Sequence, residues 1–157
     1  MNKEDIVMAG LRDLLNKMGW LNKFKMEEKL KEYKPSEVHC IECIERSEDS
    51  NVTKLAESLY MTRSAVSKLT KKLIEKGFIE SYQKPENKKE IYFNLTEEGK
   101  NISGIHESLH KEFRERDKEV FESISDEQFN SMIDFIERYG KHLDKEIKKG
   151  EREIKDK

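Results

Sequence analysis

The sequence has little of what builds a thick core, a disulfide framework or a membrane span. Only 34% of its 157 residues are apolar, whereas 41% are charged. No apolar run approaches the roughly 20 residues that cross a bilayer, and the N-terminus lacks the basic and then apolar layout of a signal peptide. Two cysteines cannot form a disulfide scaffold, and two prolines among many Glu and Lys favour helix. We therefore expect a soluble, cytoplasmic protein of long helices that bury apolar surface against a partner.

Positive charge is concentrated in one part of the chain, although the net charge of the whole is only −2. Residues 62–89 contain eight Lys or Arg and three acidic residues, a net charge of +5, so the remainder carries −7. The near-neutral total excludes a uniformly basic, histone-like protein. A basic segment within an acidic chain is typical of a local nucleic-acid contact.

Apolar residues at three- and four-residue steps predict helices over most of the chain. Residues 3–33 follow this spacing and predict one long helix or two short ones, with Gly19 as a weak point. The later predicted helices run from Pro35 to the polar stretch 47–51, over 52–59, over 63–76, from 97 to about 123, and from Ser125 towards Gly150. Within 63–76, the residues predicted to face inward are Val66, Leu69, Leu73 and Ile74.

A different pattern occupies residues 78–83 and 89–95, which are rich in β-branched and aromatic side chains. These segments flank the turn Pro85–Lys88 and predict one β-hairpin in an otherwise helical protein. Before them, Thr62 suits the N-cap of the helix over 63–76, and Gly77 suits its end. The fold class is therefore mainly α with one β-hairpin.

The order helix, short helix, tight turn, helix and hairpin is that of a winged helix-turn-helix. The second helix of the pair enters the DNA major groove with its N-terminal residues at the base edges. Cations of the hairpin, or wing, reach phosphates or the adjacent minor groove. The predicted DNA-binding residues are Thr62, Arg63, Ser64, Ser67, Lys68, Lys71, Lys72, Lys84, Lys88 and Lys89.

Several segments of this region resemble the MarR family of transcriptional regulators. Lys34–Val38 resembles the start of the family's second helix, and Leu95–Gly99 resembles the exit of its wing. Thr62–Leu69, followed by Leu73–Ile79, resembles its recognition helix and the start of its wing. The wing tip departs from the family pattern, because Asn87–Lys88 stands where Asp and Arg are usual, and Lys lacks the planar fork of Arg.

The resemblance implies a homodimer whose long N- and C-terminal helices interlock. It divides the chain into an N-terminal dimerisation region (1–34), a winged helix-turn-helix domain (35–96), C-terminal dimerisation helices (97–149) and a charged tail expected to fray (150–157). It also implies a repressor, or less often an activator, that binds a palindromic operator. An effector, either a small organic ligand or zinc, would change the affinity for DNA.

Residues 106–110 read His-Glu-Ser-Leu-His, which is literally the H-E-x-x-H motif of zinc metalloproteases. We favour a protein that is not an enzyme. A pattern as short as H-E-x-x-H is common in a Glu-rich chain, and no motif that would supply a third zinc ligand follows it. A zinc metalloenzyme is the alternative. The resemblance to the zinc-responsive branch of the MarR family instead makes His39, His106 and His110 candidate ligands of Zn²⁺, with a fourth from Glu27, Glu28 or Glu37.

Two features weigh against that zinc site. Val38 and Ile105 stand where the zinc-responsive branch has acidic ligands, and no cysteine lies in the first helix. An organic effector, zinc and the absence of a small effector therefore stay open. Cys40 and Cys43 form a C-x-x-C pair that we interpret as buried structural cysteines, and a thiol-based redox sensor is a further alternative.

Overall fold

The computed structural model describes residues 1–155, without the side chain of the last of these. This part of the chain forms six helices and one two-stranded antiparallel hairpin, so the predicted fold class is confirmed. The elements are α1 Lys3–Leu30, α2 Pro35–Arg46, α3 Val52–Leu59, α4 Arg63–Glu75, β1 Ile79–Lys84, β2 Asn87–Leu95, α5 Glu97–Glu122 and α6 Asp126–Lys155. The chain divides into two compact units, one ending at Phe113 and the other beginning at Arg114.

Polar side chains fix the helix ends where the sequence predicted them. The Thr62 hydroxyl accepts a hydrogen bond from the Ala65 backbone N–H at 3.1 Å, which caps α4. Gly77, at φ +80°, ends this helix in the left-handed conformation that glycine adopts without strain. At the start of α6, the Ser125 N–H donates to the Gln128 side chain at 2.9 Å. The Gln128 N–H donates back to the Ser125 hydroxyl at 3.2 Å, which completes a capping box.

The long helices settle one open alternative and differ from the sequence-based expectation at one end. Helix α1 is continuous through Gly19, so the one-helix alternative is confirmed. Helix α6 continues past Gly150 to Lys155, where we expected fraying. Residues 156–157 of the predicted tail lie outside the described residues.

Two details of α4 and the hairpin were also predicted incorrectly. Ile74 is 40% exposed, because Thr70 takes the fourth position on the buried side of α4 together with Val66, Leu69 and Leu73. The strands extend further than expected, because a register irregularity after Tyr82 lets Lys84 pair with Asn87. Only Pro85–Glu86 remain between the strands.

The core of the first unit lies between α2, α3, α4, the hairpin and the first half of α5. Its fully buried large side chains include Ile41 from α2, Leu55 from α3, Leu73 from α4 and Ile102 from α5. Helix α1 contributes a single buried residue, Leu30. Among the described residues, no helix combines the length and the apolar character needed to span a membrane.

The end of α4 and the start of α5 meet at the base of the hairpin. The Thr96 hydroxyl donates to the Gly77 carbonyl at 2.6 Å, and its backbone N–H donates to the Phe78 carbonyl at 3.1 Å. Gly99 passes so close that a Cβ atom there would lie 2.1 Å from the Phe78 carbonyl oxygen. Because that oxygen belongs to backbone, it cannot move aside as a flexible side chain would. This junction fixes where α5 leaves the base of the hairpin.

We expect Gly99→Ala to lower the free energy of unfolding by about 2–4 kcal/mol, because the new methyl group must displace the backbone of Phe78. The matched control is Gly104→Ala on the same helix, where nothing lies within 4 Å of an added Cβ. This control should stabilise the protein by about 0.5–1 kcal/mol. Urea unfolding followed by circular dichroism measures both, and equal effects of the two variants would contradict the close approach.

Candidate nucleic-acid interface and histidine cluster

Helix α4 presents a polar face at its N-terminal end. Its buried face, formed around Val66 and Leu73, fixes the rotation of the helix about its axis. Ser64, Ser67 and Lys68 lie at steps of three and four residues and therefore share one face, and all three are exposed or half-buried. Thr62, Arg63, Lys71 and Lys72 are exposed beside them. The structure therefore brings the predicted residues of this helix together on one side.

Most of the predicted cations have no acidic partner. Among the described residues, no carboxylate oxygen lies within 4.0 Å of the charged groups of Arg63, Lys68 and Lys71 on α4, or of Lys88 and Lys89 on the wing. Cations without an internal partner are free to neutralise phosphates and release counterions. The face of α4 and the tip of the wing therefore both carry available positive charge.

Lys72 lies close to a second lysine that the sequence prediction did not include. The nearby ammonium group of Lys34, at the start of α2, lowers the pKa of Lys72. An anion such as a DNA phosphate placed near the two groups would relieve their repulsion. The sequence placed Lys34 at the start of α2, directly before Pro35. Only the fold shows that this helix start lies beside Lys72 on α4.

Lys84 differs from the other predicted cations because its charge is already paired. Its Nζ lies 2.5 Å from the Asp49 carboxylate and 4.9 Å from the centre of the Tyr92 ring. At the wing tip, by contrast, the Lys88 ammonium group has no carboxylate partner among the described residues. The Asn87 side chain there accepts a hydrogen bond from the backbone N–H of Lys89 at 3.2 Å. The structure thus separates Lys84 from Lys88 and Lys89, which the sequence grouped together.

Three of the predicted metal ligands come together between α2 and α5. The Nε2 atoms of His106 and His110 are 3.1 Å apart, and the rings of His39 and His106 are 6.3 Å apart. The sequence prediction missed Glu42, whose Oε2 lies 3.8 Å from His106 Nδ1 and 3.9 Å from His39 Nδ1. Its position three residues after His39, on the same face of α2, was the available signal.

Glu37, the fourth predicted ligand, is engaged elsewhere. Its buried carboxylate accepts from Lys76 Nζ at 2.6 Å and from the Lys34 backbone N–H at 3.4 Å, so it joins α2 to the end of α4. In the described part of the chain, no group of three or more His, Cys, Asp or Glu side chains has the arrangement of a formed metal site. Burial lowers the pKa of His106, and the nearby Glu42 only partly offsets this effect. His106 is therefore neutral near pH 7, which is the form that binds metals.

The two cysteines are free thiols of low reactivity. Burial raises the pKa of Cys40 to about 12, and burial also raises the pKa of Cys43, which is half-buried. A thiol becomes a nucleophile only as the thiolate, and both shifts reduce the thiolate fraction near neutral pH. The geometry therefore supports the interpretation of structural cysteines over a redox sensor.

Comparison with known proteins gives a consistent result. The sequence matches the MarR family over residues 34–91. It is 36% identical to the HTH-type transcriptional regulator PchR of Bacillus subtilis over 69% of this chain, but it spans only 64% of that relative's length. It is 31% identical to the uncharacterized HTH-type transcriptional regulator YhjH of the same organism, over 89% of this chain and 75% of YhjH.

Among solved structures, the fold is similar to that of Streptococcus pneumoniae FabT in complex with DNA. The TM-score is 0.76 at 19% identity, and the match covers 91% of this chain and 99% of FabT. At this identity the similarity establishes the winged helix-turn-helix fold.

Proposed function

Because the chain belongs to the MarR family of DNA-binding transcriptional regulators, we propose that it binds a palindromic operator as a homodimer and acts as a repressor. The observation that carries this proposal is the polar face of α4, where Ser64, Ser67 and Lys68 share one side beside Arg63. Two such helices, one from each subunit, would occupy major grooves about one helical turn apart. A regulator of chromosomal DNA acts in the cytoplasm, and we place it there.

Each proposed contact has a chemical role. Arg63 suits a bidentate contact to guanine in the major groove, and Ser64, Ser67 and Lys68 suit other base edges or phosphates. Thr62, Lys71 and Lys72 suit phosphates beside the groove. Lys88 and Lys89 at the wing tip suit phosphates or the minor groove, with weaker preference for a narrow groove than an arginine would have. Lys84 is left out of the DNA contacts because Asp49 already pairs with it.

The exposed apolar faces of α1 and α6 support the dimer. Helix α1 leaves Leu15, Trp20 and Phe24 exposed, with 68% of Trp20 accessible. Helix α6 has no fully buried residue among its described side chains, and it leaves Ile133 and Ile136 exposed. Apolar helices of this length gain their stability from packing rather than from propensity alone. We propose that a second copy of the chain covers both faces.

We propose that an effector changes the DNA affinity of the dimer, and two places suit one. The histidine cluster, formed by His39, His106, His110 and Glu42, offers ligands that Zn²⁺ prefers, although His39 must move towards the other two. A groove of about 590 Å³ between α1 and α5 suits a small organic ligand, since Ile105 and Leu109 line it together with the charged side chains of Lys29, Lys100 and Glu112. The convergence of His106 and His110 makes the metal the first effector to test.

We infer that the chain is not an enzyme, since its named relatives are transcriptional regulators. In the H-E-x-x-H segment, His106 is buried against α2 with Nδ1 towards Glu42, which is the geometry of a packed helix face. The raised thiol pKa of Cys40 likewise argues against the redox alternative. Neither the metalloenzyme nor the thiol sensor has a supporting observation of its own.

DNA binding is tested by the salt dependence of affinity for a duplex that the protein selects from a random library. Lys68→Met should reduce the slope of log K against log salt by about 0.9 per lysine, or about 1.8 for a dimer, because one phosphate contact per subunit is lost. The control is Lys118→Met on α5, an exposed lysine outside the basic segment, which should leave the slope unchanged. Equal slopes for wild type and Lys68→Met would exclude a phosphate contact by Lys68.

The dimer is tested by sedimentation equilibrium. The double substitution Ile133→Glu, Ile136→Glu should shift the protein to monomer and weaken operator binding at least tenfold, because it places charges in the proposed interface. Ser131→Glu, on the other side of α6, is the matched control and should remain dimeric. A double variant that stays dimeric would show that α6 is not part of the interface.

The metal effector is tested by zinc titration of metal-free protein. Wild type should bind Zn²⁺ with micromolar or tighter affinity, and the double variant His106→Ala, His110→Ala should lose at least about 100-fold. His142→Ala on α6 is the control, because this histidine lies outside the cluster, and it should bind as wild type does. Unchanged zinc affinity in the double variant would exclude this site and leave an organic effector or no small effector.

A further inference from the structure

A cluster that no DNA contact explains joins the wing to the turn between α2 and α3. The Asp49 carboxylate accepts a hydrogen bond from the Tyr82 hydroxyl at 2.7 Å and from Lys84 Nζ at 2.5 Å. Lys84 also lies over the Tyr92 ring, 4.9 Å from its centre. We call these four side chains the wing tether. They connect parts of the chain that are more than thirty residues apart.

We propose that Asp49 and Lys84 are positioning residues for DNA binding: their ion pair holds the wing against the helix-turn-helix, and Lys84 contacts no phosphate. The proposal rests on the proposed function, because it assumes that the wing tip meets DNA. It assigns Lys84 a different role from Lys88, which lies on the same hairpin without a carboxylate partner.

The electrostatics of the pair support an internal role. Hydrogen bonds from Lys84 and Tyr82 lower the pKa of Asp49, and the bond to Asp49 raises the pKa of Lys84. Both groups therefore stay charged across the physiological range of pH. A cation that its own carboxylate neutralises has little charge left to displace counterions from DNA. About one third of each side chain is accessible, so water screens this pair less than a fully exposed one.

The backbone adds a second connection at the same place. The Phe93 N–H of β2 donates to the Ser50 carbonyl at 3.0 Å, and Ser50 itself is buried. Asp49 has φ +52°, a left-handed conformation that Asp and Asn adopt more readily than other residues with a side chain. Asn can therefore replace Asp49 without new backbone strain. Its amide oxygen can still accept the hydrogen bond from Tyr82, whereas its NH2 group replaces the oxygen that accepts from Lys84, and the negative charge is lost.

The test is the charge-neutral double variant Asp49→Asn, Lys84→Met, which removes the ion pair without altering net charge. Its affinity for the duplex selected by wild type is measured over a salt series, and amide hydrogen exchange is measured over residues 81–84. We expect about fivefold weaker binding to this duplex with an unchanged salt slope, and faster exchange in the wing. A slope smaller by about 0.9 per copy would overturn the proposal, because Lys84 would then be a phosphate contact.

Lys88→Met is the matched control on the same hairpin. It should reduce the salt slope and leave wing exchange unchanged, because Lys88 has no internal partner. If Lys88→Met reduces the slope while the double variant binds as wild type does, the wing tether alone is wrong. If neither variant changes DNA binding, the wing does not meet DNA, and both the tether and the proposed wing contact are wrong.

Discussion

The close packing of α5 against the end of α4 is the constraint on which the rest of the structure depends. Gly99 lies against the Phe78 carbonyl, and Thr96 bonds to both Gly77 and Phe78. The end of the recognition helix, the base of the wing and the start of the long helix α5 therefore share one rigid junction. Two of these three contacts, the Thr96 N–H bond and the approach of Gly99, join backbone to backbone, so no flexible side chain lies between the start of α5 and Phe78, which follows α4.

The basic residues of segment 62–89 fall into two groups, those paired with a carboxylate inside the domain and those without such a partner. Lys76 and Lys84 lie in the same basic segment as Lys68 and Lys88, yet Glu37 and Asp49 neutralise the first two inside the domain. The segment's formal charge of +5 thus overstates what is available to DNA. The charge that remains free lies on the face of α4 and the wing tip. Because these unpaired cations lie together, a chain of net charge −2 can still present a basic surface to DNA.

The sequence predicted what local chemistry controls, and it missed what only the fold brings together. Thr62 and Gly77 marked the ends of α4 because caps and left-handed glycines act on neighbouring residues. The bonds of Glu37 to Lys76 and of Asp49 to Lys84 join residues 39 and 35 positions apart, which no periodicity records. The zinc prediction shows the same contrast. Helical spacing predicted that His106 and His110 lie together, whereas it gave no sign that Glu37 is bonded to Lys76 and that Glu42 lies beside His106.

Helix α2 connects the histidine cluster to the DNA-binding face. On one side it carries Glu42 beside His106, and at its N-terminus Glu37 is bonded to Lys76 at the end of α4. A ligand that drew His39 towards α5 would act on the same helix that holds the recognition helix. For the proposed effector, a coupling free energy of about 1–3 kcal/mol carried through α2 would suffice for a 5–150-fold change in DNA affinity.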